Sequence, residues 1–423
     1  MRVLIIGSGG REHALVWKVK RSALVKKVYC APGNYGISCD ALCIDIPAHD
    51  IKRLLAFAVK EKIDLTIVGP EQPLVAGLVD EFEANGLAIF GPNQRAAELE
   101  GSKAFAKELM ARHKIPSAEF RIFTALEEAQ NYVNSARMPL VIKADGLAAG
   151  KGVYVCTEKV QALIALHQIM ESRVFGQAGS RVVIEEFLTG EELSVLALSD
   201  GENLVYLAPA QDHKRIFDGD LGANTGGMGA YAPTPFLDEE TFRRIRTEIM
   251  EPTIRAMARE DRPYRGVLYA GLILTSEGPR VLEYNCRFGD PETQVILPLA
   301  ASDLVEAIMA CRAGGLANFQ WRNHAGAAAG VVIASGGYPE RYTTGHPIVG
   351  LEGPLEKDVV IFHSGTKAAE GHPVTAGGRV LTVTAWAPDL EAAIARAYRT
   401  VGKLTFDGAY YRRDIGARGL RKR

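Results

Sequence analysis

Residues 2–10 read Arg2-Val3-Leu4-Ile5-Ile6-Gly7-Ser8-Gly9-Gly10, a short apolar run that stops at clustered glycines, and an amphipathic stretch, EHALVWKVK, follows at once. The unit repeats outward to about residue 98. The β-rich runs KVYCA (27–31), LCIDI (42–46), DLTIVGP (64–70) and LAIFGP (87–92) alternate with DIKRLLAFAVKEK (50–62) and LVAGLVDEFEANG (74–86). In the latter two, apolar residues recur at three- and four-residue spacing, the mark of a helix with one buried face. Strand, helix, strand in that rhythm predicts a parallel α/β sheet over residues 1–100 with helices on both faces. Ligands of such sheets sit beyond the carboxyl ends of the strands. Those ends carry Gly7-Ser8-Gly9-Gly10, Pro32-Gly33-Asn34, Gly69-Pro70-Glu71 and Gly91-Pro92.

Beyond residue 98 the rhythm changes. LEGSKAFAKELMARHKI (99–115) reads as one long helix closed by Pro116, followed by the β-rich runs MPLVIKA, VYVCT, RVVIEEFL and ELSVLALSD with a helix at KVQALIALHQIM. This pattern predicts hairpins and a few helices in an α+β unit, with a further strand pair, GVLYAGLILT and RVLEYN, joined by Ser276-Glu277-Gly278-Pro279. From about 326 a last β-rich module (GVVIASGG, VVIFHSG, RVLTVTAWA) carries one helix, DLEAAIARAYRTVGKL. The expected architecture is therefore an α/β and α+β multidomain chain: an N-terminal parallel domain, 1–100; a central domain, 101–325; and a small β-rich C-terminal domain, 326–423.

Composition narrows the function classes. The 423 residues, 47% hydrophobic and 23% charged, suit about three domains of roughly 150 residues. Lys plus Arg (49) balance Asp plus Glu (50), so no global field draws the chain to nucleic acid or an anionic membrane. No run of eighteen apolar residues predicts a membrane span, and the opening residues do not read as a signal peptide. The six cysteines lack paired spacing and read as reduced thiols of a cytoplasmic protein. The basic end RGLRKR (418–423) reads as a solvated terminus.

Six segments suggest chemistry. Gly7-Ser8-Gly9-Gly10 opens a helix and offers backbone N–H groups to phosphate, but Glu12 stands where a dinucleotide site wants its third glycine, and the second strand ends Cys30-Ala31-Pro32 with no acid for a ribose. A monophosphate fits better than NAD; a ligand-free tight turn is the alternative. Lys143-Ala144-Asp145-Gly146-Leu147-Ala148-Ala149-Gly150-Lys151-Gly152 lets backbone close over polyphosphate with two compensating lysines, against a plain solvated turn. Glu185-Glu186-Phe187-Leu188 resembles an edge strand able to pair with adenine, with Glu192 in reach of a ribose. Glu283-Tyr284-Asn285-Cys286-Arg287-Phe288-Gly289-Asp290 is the strongest. On a strand, residues 283, 285 and 287 share a face, the first two as oxygen donors for Mg²⁺ and the arginine beside a phosphoryl group or oxyanion; a structural salt-bridge row is the alternative. The loops Gln211-Asp212-His213-Lys214-Arg215 and Asn224-Thr225-Gly226-Gly227-Met228-Gly229 are either site loops or surface loops, and His213 reads as structural.

Taken in order, GSGGREHA, APGN, DLTIVGPE, FGP, IKADGLAAGKGV, IEEFLTGEE, QDHKR, NTGGMGAY, RFGDPETQ and GGYP resemble the ATP-grasp enzymes, and within them the phosphoribosylamine–glycine ligase family, nearly end to end. The resemblance implies ATP-dependent ligation of glycine to 5-phosphoribosylamine in purine biosynthesis, through a glycyl phosphate, giving glycinamide ribonucleotide, ADP and phosphate. It implies a central ATP-grasp domain with a mobile lid at about 118–190. Lys103, Lys143, Gly150, Lys151 and Gly152 would hold ATP phosphates, the 185–188 strand adenine, and Glu192 the ribose. Glu283 and Asn285 would ligate Mg²⁺ or Mn²⁺, and Arg287 would be catalytic. Gly9, Gly10, Gly33 and Asn34 would take the phosphoribosyl group, with Glu71 and Asp290 also binding substrate and Asp212, Lys214 and Asn224 meeting glycine. Many ATP-grasp enzymes place a glutamate twelve residues before the Glu283 position, where this chain has Gly271, which leaves a second ion short of a ligand. The expected partners are these small molecules alone, with the chain a monomer. The competing readings are an ATP-grasp carboxylase of an aminoimidazole ribonucleotide, revealed by bicarbonate dependence, and a non-catalytic ATP sensor, revealed by absent phosphate release.

Overall fold

The computed structural model describes residues 1–148 and 151–421. Strands β1 (Arg2–Gly7), β2 (Lys27–Pro32), β3 (Leu42–Cys43), β4 (Leu65–Val68) and β5 (Ile89–Phe90) form a parallel sheet in the order 3-2-1-4-5. The two-residue period of β1 sends Val3 and Ile5 into one core and Leu4 and Ile6 into another, so both faces are covered. All four glycine-bearing turns fall on the carboxyl edge. The stretch 71–84 is two helices, Glu71–Val75 and Leu78–Ala84, because Gly77 takes the left-handed conformation between them.

The single helix expected at 99–115 is also two. Ser102 is extended, ends Gln94–Gly101, and caps Lys103–Arg112 by accepting from the Phe105 N–H at 3.0 Å. Its hydroxyl meanwhile donates to Asp145 at 3.0 Å, so a side chain 43 residues away selects the break.

Two antiparallel sheets form the middle of the chain. Phe120–Phe123, Val182–Glu186, Leu140–Ala144 and Val153–Cys156 make one, and Leu204–Tyr206, Glu191–Asp200, Arg265–Thr275 and Gly278–Asn285 make the other. The expectation of sequential hairpins fails at one point. Val182–Glu186 and Glu191–Asp200 belong to different sheets, because each finds its apolar partners elsewhere. The third large sheet orders Gln211–Asp212, Gly229–Ala232, Ala327–Ala334, Arg379–Ala387 and Val359–His363. It thus borrows two strands from the stretch before residue 326, and helix Leu390–Val401 packs on it.

Candidate active site

The carboxyl edge of the parallel sheet, the two middle sheets and the C-terminal sheet surround one cleft of about 890 Å³. Glu283 and Asn285 come from the last residues of strand Gly278–Asn285, and Arg287 lies just past its end; all three line the cleft. A register shift beside Gly271 pairs that residue directly with Glu283. A Cβ at 271 would stand 3.2 Å from the Glu283 side chain, so glycine leaves the carboxylate room to turn into the cleft.

Arg287 is the best-anchored group. Its Nε donates to Glu71 at 3.2 Å, one Nη to Asn285 Oδ1 at 3.0 Å and to Glu100 at 3.1 Å, and the other Nη to the Phe288 carbonyl at 3.3 Å. Burial lowers its affinity for the proton, but Glu100 and Glu71 more than offset this, so the guanidinium stays charged. Burial pushes the Glu100 carboxyl up to about 6 despite Arg287. It accepts from the Cys286 N–H at 2.7 Å. Burial also works to raise Glu71, yet Arg287 and then Arg11 hold it below the usual carboxylate range.

Deeper in the cleft Glu185 sits between two lysines, 2.9 Å from Lys143 and 2.8 Å from Lys107, all three buried. Burial opposes the ionised Glu185, and the two ammonium groups win and depress its pKa. Burial brings Lys107 down to about 8. The Lys143 ammonium also donates to the Leu282 carbonyl at 2.9 Å, and Lys103 donates to the Gly146 carbonyl at 2.9 Å. Lys103 is lowered by burial.

On the opposite side Lys214 reaches Glu192 and Asp212, each at 2.9 Å. Burial disfavours its charge, but Asp212 and then Glu192 raise it well above the ordinary lysine value. Glu292 accepts from Tyr269 at 2.5 Å and from Ser194 at 3.0 Å, and burial followed by Asp212 raises it. His213 is fully buried, with Nε2 accepting from the Gly416 N–H at 3.3 Å. Burial drives it to about 3, so it is a neutral structural imidazole.

Most of the expected residues therefore meet: Lys103, Lys143, Gly152, the 185–188 segment, Glu192, Glu71, Asp212, Lys214, Asn224 and Asp290 all line the cleft. Gly9, Gly10, Gly33, Asn34 and Lys151 do not line the cleft. Gly9 donates its N–H to Glu12 at 2.6 Å, and a Cβ at Gly10 would meet Ser364 and Gln294 within 2.7 Å. Gly33 lies against Cys43, and the Asn34 amide is used up by the Ser8 and His363 carbonyls at 2.8 and 2.7 Å. Lys151 turns away to the Pro339 carbonyl at 3.1 Å. Gly150 lies outside the described residues.

Sequence reasoning missed Arg11, Glu100, Lys107, Glu292, Arg379 and Arg418, which all line the cleft. Lys107 lies one turn beyond Lys103 on the same helix and Glu100 just before the Ser102 break, so both could have been sought from their spacing around Lys103. Arg379 contacts Asp290 at 3.2 Å from a strand end with no motif around it.

Among the described residues no group of three His, Cys, Asp or Glu side chains gathers as an ion site. Glu283 and Asn285 still offer a carboxylate and an amide oxygen to the cleft. These are hard donors that suit a cation sharing its shell with phosphate oxygens and water.

Family models of phosphoribosylglycinamide synthetase match the chain as the N domain over residues 1–100, the ATP-grasp (A) domain over 101–293 and the C domain over 328–418. A Halalkalibacterium halodurans protein named phosphoribosylamine–glycine ligase is 50% identical over all of this chain and 98% of its own. A Yersinia pestis protein of the same name is 50% identical over 99% of each. The crystal structure of the Thermotoga maritima phosphoribosylamine–glycine ligase superposes with a TM-score of 0.86 at 36% identity, covering 98% of this chain and 100% of that one. The biotin carboxylase domain from Hydrogenobacter thermophilus shares the fold alone, with a TM-score of 0.77 at 17% identity. The chain belongs to the phosphoribosylglycinamide synthetase family.

Proposed function

We propose that this chain ligates glycine to 5-phosphoribosylamine, giving glycinamide ribonucleotide, ADP and phosphate, in purine biosynthesis. The observation that carries the reading is the convergence of Lys103, Lys143, Glu283, Asn285 and Arg287 on one cleft in a chain half identical to ligases of that name. A carboxylate resists attack by an amine. A glycine carboxylate oxygen therefore takes the γ-phosphoryl group of ATP and releases ADP. The amine nitrogen then attacks the carbonyl carbon of the glycyl phosphate, gives up a proton, and expels inorganic phosphate.

In this reading Lys103 and Lys143 hold the phosphate tail and residues 185–188 hold adenine. Glu192 takes the ribose, and Asp212, Lys214 and Asn224 orient glycine. Arg287, charged and held by two carboxylates, stabilises the oxyanion of the acyl transfer. The Gly146–Gly152 loop excludes water from the acyl phosphate. ATP-grasp enzymes work with ATP and a divalent cation; here Mg²⁺ or Mn²⁺ would be held by Glu283 and Asn285, supplying charge compensation for the phosphates when bound. Gly9, Gly10, Gly33 and Asn34 shape the phosphoribosyl end through the backbone, with Glu71 and Asp290 as its polar side chains. In this reading the chain acts as a monomer in the cytoplasm. The test is ADP release with each substrate omitted in turn. Release that needs both glycine and phosphoribosylamine is expected; bicarbonate-dependent, glycine-indifferent release would overturn the reading.

A further inference from the structure

Arg418 and Arg421, near the chain end, line the cleft, although RGLRKR reads in sequence as a solvated terminus. The cause is a dense junction between residues 410–418 and the hairpin Arg215–Phe217 and Leu221–Asn224, whose feet are Lys214 and Asn224. Arg412 is fully buried. Its Nε and one Nη donate to the two Asp414 oxygens at 2.7 Å each, and its other Nη donates to Asp220 and to the Arg215 carbonyl at 3.0 Å each. The Arg413 N–H donates to Asp218 at 2.8 Å and the Gly219 N–H to Asp414 at 2.9 Å. Arg418 pairs with the second oxygen of Asp220, and the Phe217 ring meets Tyr410 edge-on at 5.9 Å.

Apart from Ile216, which is buried in the C-terminal core, the hairpin has little else to hold it. Phe217 and Leu221 are exposed, and an isolated two-stranded hairpin is marginal in water. A guanidinium buried as fully as that of Arg412 is costly unless carboxylates and carbonyls surround it. Both carboxylates of the hairpin tip, Asp218 and Asp220, are engaged by the tail. At the base, the Thr225 N–H and hydroxyl both donate to the Lys214 carbonyl at 2.8 Å. Order imposed at the tip is thereby passed to the residue that spans Glu192 and Asp212.

We propose that the tail 412–418 is a positioning element of the active site: anchored on Asp220, it orders the 215–224 hairpin so that Lys214 and Asn224 face the bound substrates. This rests on the ligase reading of the cleft. The test uses the full chain with Asp220→Asn, Asp220→Glu and Arg418→Ala, reading KM and kcat separately alongside amide hydrogen exchange over 213–225. Asp220→Asn should speed exchange there and raise KM for ATP or glycine about three- to tenfold, with kcat within about twofold. Asp220→Glu, which keeps the charge, should recover most of that KM. Should Asp220→Asn fail to fold, Arg418→Ala, at the more exposed end of the junction, takes its place with the same expectation. Unchanged exchange, or faster exchange with every KM unchanged, overturns the proposal. A parent protein without glycine- and amine-dependent ADP release would instead refute the ligase reading, while the exchange measurement still judges the tail.

Discussion

Replacing Arg287 by alanine removes the one guanidinium that touches Glu71, Glu100 and Asn285 together. If it stabilises the acyl-transfer oxyanion, its loss should cost about 3–4 kcal/mol of transition-state stabilisation, a fall in kcat of roughly 10²–10³. The structure also says whether such a variant can be read at all, because the buried Glu100 loses its partner. With its carboxyl at about 6, keeping Glu100 ionised at pH 7 already costs about 2 kcal/mol relative to the ordinary value. Without Arg287 the carboxyl can take up a proton, which caps its burden at the gap between the ordinary value and pH 7, about 3.4 kcal/mol. The added loss through Glu100 is then about 1.4 kcal/mol, which a folded chain of this size tolerates. The assay is steady-state ADP release at saturating substrates, with circular dichroism to confirm folding. Arg287→Lys, which keeps the charge but loses the fork, should fall between parent and Arg287→Ala. A folded Arg287→Ala variant with kcat near that of the parent would refute the assigned role.

Three further outcomes follow from the same geometry. Glu283→Gln should raise the divalent-cation concentration for half-maximal ADP release by on the order of tenfold, about 1.4 kcal/mol of ion binding; an unchanged metal titration removes Glu283 from the ion site. Glu185→Gln leaves Lys107 and Lys143 buried together without a counter-charge and should destabilise the protein by about 3–5 kcal/mol, so an unchanged thermal transition contradicts the buried triad. Glu100 binds its proton more tightly folded than unfolded, so it lowers stability as pH rises through its ordinary value toward about 6. The stability of the parent relative to Glu100→Gln should therefore drop by about 2 kcal/mol between pH 4 and 7, and denaturant melts showing a flat or rising difference would contradict the raised carboxyl.

Local pattern carried much of this molecule. The continuous apolar run in Arg2–Gly7 and its repeats, with helices between, determined a parallel sheet, since a strand apolar on both faces has few other homes. The Gly271-for-glutamate exchange, the glycine-rich turns at strand ends and the run from Glu283 to Asp290 were likewise legible, because each is a short-range chemical statement. What failed was decided by partners distant in sequence. Ser102 breaks a helix that its neighbours favour because Asp145 takes its hydroxyl. The Asn34 side-chain amide is held by the Ser8 and His363 carbonyls, one of them 329 residues away, which in the proposed reading leaves the backbone for the substrate.

By itself, then, the amino-acid order determined which elements form and which residue types carry the chemistry. Only the tertiary structure decided which charges neutralise one another: Glu71 and Glu100 around Arg287, Lys107 and Lys143 around Glu185, Asp220 between Arg412 and Arg418. Those pairings join residues up to 216 positions apart. Their strength is set by burial, a property of the packed chain that no local stretch possesses.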